Sequence, residues 1–405
     1  MQTDVLIVGQ GICGTFLSWW LERAGVSFLM IDEQRPFTAS KAAAGLINPV
    51  TGRRIVTTWM IDELLPFAQT AYRQIEETLG ISCMEPVGVV DFFPTAQMRL
   101  AFLKRHEEDS SYLQLPADEH SWDGFFRYEL GYGVISPCYL VDLPGLLAVS
   151  RKRLVEKGVL LEEPFSREEL IVEEGPAWTD GARESRGGTG QEGGNGEGVG
   201  HVEKGIRYRD IHARRVVFCD GIESFANPYF SRLPFAPNKG EALIVEIPEL
   251  GRMQAGGGIG GEAVEDRAMG QEESGGGYVF KKGMSLAPWK EGLYWVGASY
   301  EWAFDHKEPT EAFRARTEAV LQEWLKVPFR TVEHIASVRP ATLERRPFVG
   351  FHPLYPAVGI LNGMGTKGCS LAPYFAHQLV EALTKGSTIR PDADIRRFSG
   401  ILSRR

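Results

Sequence analysis

A chain of 405 residues with 44 Lys and Arg against 53 Asp and Glu carries a formal net charge of −9 at pH 7. Its length suggests about two domains, and 43% apolar with 24% charged residues is the balance of a globular protein. The acidic excess argues against wide contact with a phosphate backbone, no apolar run approaches the roughly twenty residues of a bilayer span, and the first strand starts too early for a leader, so a cytoplasmic protein with no transmembrane segment and no nucleic-acid partner is expected.

The N-terminal stretch organises the rest. Val5 to Val8 reads as a buried strand, followed by Gly9, Gly11 and Gly14 in the spacing G-x-G-x-x-G. A helical segment, Thr15 to Ala24, stops at Gly25, and a second buried strand, Val26 to Ile31, ends on Asp32. Gly9 permits a tight turn, Gly11 lets a pyrophosphate approach the backbone, and Gly14 allows close packing of helix on strand. The helix N-terminus offers unpaired N–H groups to phosphates, and Asp32 stands where a carboxylate accepts from ribose hydroxyls. Ile12 and Cys13 inside the loop and Glu33 after Asp32 complete this candidate set. The motif implies a dinucleotide and does not separate NAD from FAD.

Next come small residues from Ser40 to Gly45, then Leu46, Ile47 and a turn carrying Arg53 and Arg54. Such a run allows close approach to a flat ligand, and the two arginines could meet its phosphates. Thr58 to Leu79 reads as an amphipathic helix ending at Gly80, Val87 to Phe93 as a strand, and Leu100 to Asp109 as a helix. Tyr128 to Val141 is strand-like. Asp142 is a candidate N-cap for a helix from Leu143 to Lys157, with Pro144 in its first turn, followed by a strand at Val159 to Leu161. The return of strand–helix alternation here implies a discontinuous dinucleotide domain.

From Gly187 to Gly200 eight of fourteen residues are glycine. Residues 173–205, and again 251–277, cannot bury enough apolar surface to offset their ordering entropy and are expected as flexible surface insertions. Between them Arg214 to Cys219 reads as a buried strand ending in Asp220-Gly221, and Ala242 to Ile247 as a strand opened by Lys239-Gly240-Glu241. Tyr278 to Lys282 and Leu293 to Ala298 read as antiparallel strands among aromatic residues, which suits a sheet facing a flat ring. Pro309 to Val327 is expected as a peripheral helix.

Val332 to Val338 leads as a strand into Arg339-Pro340-Ala341-Thr342. A short strand, Val358 to Leu361, runs into Asn362-Gly363-Met364-Gly365-Thr366-Lys367-Gly368 and a helix from Leu371 to Leu383. This is a second place where backbone N–H groups and a helix dipole can meet a ligand, and the two ends can act together on one long cofactor. The five cysteines, Cys13, Cys83, Cys138, Cys219 and Cys369, are scattered and odd in number. They fit reduced thiols, and no metal site is expected.

On these residues the chain resembles the D-amino-acid oxidase / glycine oxidase superfamily of FAD-dependent oxidoreductases. The likeness rests on GQGICG with Asp32, SKAAAGLINP, VVFCDG, KGEAL, YWVGASYE, and RPATLERRPFVG followed by NGMGTKGCSLAP. It implies an α/β chain, α+β overall, with a Rossmann-like FAD-binding domain and a second, mostly antiparallel-sheet substrate domain. The implied boundaries are 1–85, 138–225 and 331–405 for the FAD domain and 86–137 and 226–330 for the substrate domain. By position, Gly9, Gly11, Gly14 and Asp32 would hold the ADP half of a non-covalently bound FAD. Ser40, Lys41, Ala44, Gly45, Leu46 and Ile47 would line the pyrophosphate-to-flavin region. Gly221 would follow the strand beneath the adenosine, and Gly363, Gly365, Thr366, Lys367 and Gly368 would face the pyrimidine end of the ring.

Arg339 stands where amino-acid-oxidising members place the arginine that pairs with the substrate carboxylate, with Tyr300 and Tyr278 as candidates for lining the pocket. Thr366 replaces an arginine of glycine oxidases, and Trp295 stands where the sarcosine oxidase branch keeps its oxygen-activating lysine. The implied activity is oxidation of the C–N bond of a small amine or amino acid by hydride transfer to flavin N5, with hydrolysis of the imine. The electron acceptor is oxygen or a carrier. Rival readings are a flavin dehydrogenase reducing a quinone, a tRNA-base-modifying flavoenzyme, and an FAD-binding protein without turnover.

Overall fold

The computed structural model describes residues 1–173, 205–255, 277–290 and 292–404. Its main elements in chain order are β1 (Gln2–Val8), α1 (Ile12–Arg23), β2 (Phe28–Ile31), α2 (Ile61–Leu79), β3 (Met84–Phe92), β4 (Tyr132–Val141) and α3 (Leu143–Glu156). They continue with β5 (Ile211–Phe218), β6 (Asn238–Glu246), β7 (Tyr278–Lys282), β8 (Met284–Lys290), β9 (Leu293–Gly297), α4 (Glu311–Trp324), β10 (Arg330–Arg339), β11 (Phe348–Phe351), β12 (Val358–Asn362) and α5 (Gly368–Lys385). No described helix is long and apolar enough to cross a membrane. The chain is mixed α/β, as expected.

β1 is the centre of the first sheet, with β2 and β5 parallel on its two sides and β12 parallel to β5. Strands covered on both faces read as continuous apolar runs rather than alternating ones, which is why Val5–Val8 and Val216–Phe218 are buried throughout. α1 packs between this sheet and α5, with Phe16, Leu17 and Leu21 fully enclosed. Each such side chain contributes on the order of 1.5–3 kcal/mol on burial. The indole of Trp20 in α1 donates to the carbonyl of Pro373 in α5 at 3.0 Å, tying the first helix to the last. α2 buries Ile61, Leu64, Leu65, Ala68, Tyr72 and Ile75 on one stripe. It ends at Gly80, left-handed at φ 68°, whose N–H returns to the Glu76 carbonyl.

The second sheet runs β10-β6-β9-β8-β7-β3-β4, then Leu46–Ile47, with β7 and β3 as its parallel pair. One face is an aromatic layer under α4, with Phe92, Phe126, Phe280, Tyr294 and Trp324. Side-chain alternation puts small residues on the other face, among them Gly240, Ala242, Ser285 and Gly297. That face turns toward the first sheet.

Two readings are corrected, and a third lies largely outside the described residues. Met284–Lys290 is a strand that propensity did not mark, because Gly283 (φ 79°) turns the chain straight back after β7. β10 and the end of β4, which the boundaries at 331 and 138 place in the dinucleotide domain, pair in the second sheet. The two glycine-rich insertions lie outside the described residues except at their edges, where Pro248–Ala255 is helical.

Candidate active site

A cleft of about 1050 Å³ lies between the sheets, and its walls come from both ends of the chain. At one end the backbone is shaped by glycine. Gly9 sits at φ 100°, and a Cβ there would stand 2.6 Å from the Cys219 carbonyl oxygen. A Cβ on Gly14 would stand 1.9 Å from the Gly9 oxygen, so no other residue allows α1 to approach β1 this closely. α1 opens at Gly11 without a capping side chain and without an acid in its first turn. Its end therefore presents N–H groups and positive potential to the cleft. The Ile12 N–H donates to the Ser40 hydroxyl at 3.1 Å, which joins the loop after β2 to the helix end.

Asp32 is bound from three directions. One carboxylate oxygen accepts from Gln10 N–H at 2.8 Å; the other accepts from Gln34 N–H at 2.9 Å and from the Arg151 guanidinium at 2.6 Å. A carboxylate has about four acceptor sites, which leaves capacity for a ribose hydroxyl. Arg151 is 6% exposed and also grips the Asp32 carbonyl and Glu162. Sequence reasoning missed it. Its signal was an arginine on the apolar stripe of α3, one turn from Leu147 and beside Leu154. Farther out, Glu33 and Glu223 flank Arg35, with Arg35 and Glu223 2.5 Å apart, and all three line the cleft.

The second end is the loop from Asn362 into α5. Gly365 is left-handed at φ 57° and, with Thr366, Lys367 and Gly368, lines the cleft. The Asn362 amide donates to the Gly221 carbonyl at 2.8 Å and to Ser224 at 2.9 Å, joining this loop to the segment after β5. A Cβ on Gly368 would stand 3.4 Å from Ile12, so the two loops abut. Lys367 is half-buried; burial lowers its pKa, and Arg346 and Arg345 add to that.

Arg339 ends β10 with its guanidinium pressed on Gly240, where a Cβ would collide with it. It donates to Asn238 Oδ1 at 2.6 Å and to the Ser299 carbonyl at 3.1 Å, and lies 4.7 Å from the Tyr300 ring centroid. Burial draws its pKa down and Tyr300 acts the other way. All of these partners are neutral; among the described residues Arg339 has no carboxylate partner.

Ala44, Gly45 and Leu46 also line the cleft, as do Cys13 and Gly221. Five expected site residues do not. Gly14 is packed beneath the loop, and Lys41 turns back to the Arg35 carbonyl. Ile47 is in the core, and Gly363 packs on Thr342. Tyr278 stands in the aromatic layer against Trp122 and Gly88, because it shares its face of β7 with Phe280. Arg53 and Arg54 are exposed on a hairpin turn and do not line the cleft, although Val50, Thr51 and Gly52 just before them do. Trp295 lines the cleft, its indole donating to the Ala42 carbonyl at 3.0 Å.

Cys13, Cys219 and Cys369 border the cleft, but burial pushes their thiols up, to about 12 for Cys13 and Cys369, so none is a thiolate nucleophile. Among the described residues no group of His, Cys, Asp and Glu could hold a metal ion. The donor set instead suits an extended dinucleotide: glycine-walled backbone at one end, a second helix N-terminus at the other, and one groove joining them.

The family model for FAD-dependent oxidoreductases, DAO, matches residues 4–382. Among solved structures, glycine oxidase from Geobacillus kaustophilus superposes with a TM-score of 0.70 at 17% identity, covering 100% of this chain and 99% of that one. Iminodiacetate oxidase from Chelativorans sp. BNC1 gives 0.66 at 19% identity, with 98% of each chain covered. L-proline dehydrogenase from P. horikoshii gives 0.65 at 15%, again with 98% of each covered. At these identities the likeness is one of fold.

Proposed function

The chain belongs to the DAO family of FAD-dependent oxidoreductases, and on that premise we propose that it oxidises the C–N bond of a small amino acid or amine bearing a carboxylate. The observation that carries this reading is Arg339, a cation held in the cleft wall, among the described residues, by neutral partners alone. A guanidinium so placed is completed by a bidentate carboxylate, which would fix the rest of the substrate over the small-residue face of the second sheet. Tyr300, stacked against Arg339, forms the side of that pocket.

Bound flavin would supply a hydride acceptor, and the protein supplies position and field. The glycine loop, Ser40 and Asp32 would hold the ADP half. The N–H groups at the start of α5, with Lys367, would give positive potential at the pyrimidine end of the ring, which favours electron uptake. The substrate amine is expected to lose its proton to water or to a side chain before its α-C–H reacts. Anaerobic bleaching of the FAD-loaded protein by a panel of D- and L-amino acids, N-methyl amino acids and simple amines tests the reading. Bleaching by carboxylate-bearing members supports it, and no bleaching by any member removes it. Peroxide release measured against reduction of an artificial carrier then assigns the electron acceptor.

A further inference from the structure

A second cation faces the same cleft from its opposite side. Along β7 the side chains of Tyr278 and Phe280 enter the aromatic layer, so Lys281 emerges on the small-residue face, where it lines the cleft. Its register partner on β3 is Asp91, and Lys281 Nζ lies 2.7 Å from Asp91 Oδ2. Asp91 is fully buried and its other oxygen, Oδ1, has no hydrogen-bond partner. Among the described residues Lys281 is therefore the one charge that compensates a buried carboxylate, and it cannot swing away without stranding it. An ammonium has three N–H donors. One is taken by Asp91, no other partner is found for Lys281 among the described residues, and its side chain is 22% exposed toward the cleft.

Between the two cations the floor is a row of small residues, with the Trp295 ring lying over one of them, 3.0 Å from where a Cβ on Gly297 would stand. The register runs from Lys281 to Ser285, then Gly297, then Ala242, with no side chain in that row larger than a hydroxymethyl group until β6 is reached. The Arg339 guanidinium rests on Gly240 of that same β6. β7 and β6 are three ladder steps apart, with β8 and β9 between them. At about 4.8 Å per step, and with Gly240 two residues along β6 from Ala242, this separates the two cations by roughly 16 Å. Allowing a hydrogen bond at each end, the acceptor groups they could bind together stand on the order of 10 Å apart. An unsubstituted small amino acid cannot reach both.

We propose that Lys281 is a second anchoring point for the substrate, and that the cleft takes an elongated amino acid or N-substituted amino acid ending in a carboxylate or carboxamide far from the carboxylate held by Arg339. This rests on the oxidase reading above. Lys281 then selects substrate length, Asp91 positions its ammonium, and the chain between the two ends runs along the row of small residues beside the Trp295 ring.

The test uses the FAD-loaded protein under anaerobic stopped flow, with short aliphatic amino acids and two series of increasing chain length, one ending in a carboxylate and one in a carboxamide. In the wild type the apparent Kd is expected to fall as either terminal group reaches Lys281. Lys281→Met should reduce the preference for long over short substrates by tenfold or more, the scale of a lost hydrogen bond to a charged group, and Lys281→Arg should retain most of it. The series that loses more identifies the natural terminal group. A long-over-short preference within twofold of wild type in Lys281→Met overturns the inference. So does a defect confined to reoxidation, which would make Lys281 a group acting on the electron acceptor. If short amino acids bleach the wild type and long ones gain nothing, the inference alone fails; if no amino acid bleaches it, the oxidase reading fails and takes the inference with it.

Discussion

The Arg151 guanidinium, one hundred and nineteen residues along the chain from Asp32, donates to its carboxylate at 2.6 Å and to its main-chain carbonyl at 2.9 Å. The acid at the end of β2 is thus held in one orientation before any nucleotide arrives. Substituting Arg151→Met removes charge-assisted bonds worth about 1.5–3 kcal/mol each in such settings. The apparent Kd for FAD, followed by quenching of flavin fluorescence, is expected to rise about tenfold or more. An unchanged Kd with a lowered Tm would make Arg151 a support for α3 alone.

Asp220, which lines the cleft after β5, gives a pH signature. Burial raises its carboxyl from an ordinary 3.8 to about 6, against the Ser224 hydroxyl that favours ionisation. Between those values the folded protein keeps the proton and the unfolded chain loses it, so stability from this group falls as pH rises and the loss is complete above about pH 6. At roughly 1.4 kcal/mol per pH unit the full cost is about 3 kcal/mol. Asp220→Asn should match the wild type near pH 3.5 and be the more stable of the two by pH 7, as read by chemical denaturation at each pH. Parallel curves would show that Asp220 titrates normally.

Behind the cleft, Glu241 and Lys239 form an ion pair that is almost wholly out of solvent, 3.1 Å apart. Glu241 also accepts from Thr310 N–H at 2.7 Å and from its hydroxyl at 2.9 Å. This holds Thr310, whose own hydroxyl caps the start of α4 by accepting from Phe313 N–H. His334 Nε2 stands 2.9 Å from the same carboxylate without hydrogen-bond alignment. Glu241→Leu alone strands a buried ammonium and is expected to cost about 3–5 kcal/mol in denaturant unfolding. Adding Lys239→Met should recover much of that loss. Simple additivity of the two single changes would contradict the pairing.

The dinucleotide half of the fold was legible because its signals are local: an apolar run, glycines at fixed spacing, a helix, and an acid. The same holds for α2, which runs to its Gly80 stop, and for Asp142, which caps α3 through Gly145 N–H. The loop into α5 was legible for the same reason, whereas Arg339 was singled out only through the family resemblance. Arg151, Asp91 and Lys281 were not legible, since each matters through a partner that only strand register or helix packing brings near. Tyr278 shows the converse error. The segment Tyr-Val-Phe-Lys-Lys holds two aromatics and a lysine in alternation. Which parity faces the cleft depends on the layer beneath α4, outside the segment itself. The parity that looked suited to a flat ring is the one that fills the core.

The most direct measurement of the central claim is the reductive half-reaction of Arg339→Leu at FAD content equal to the wild type. With a carboxylate-bearing substrate that bleaches the wild type, the variant is expected to show an apparent Kd raised at least about 30-fold, in line with the 2–5 kcal/mol typical of truncating one member of a buried charge pair. An amine lacking the carboxylate should lose far less. Equal bleaching of wild type and variant by the carboxylate substrate, at equal concentration, would place substrate binding elsewhere in the cleft.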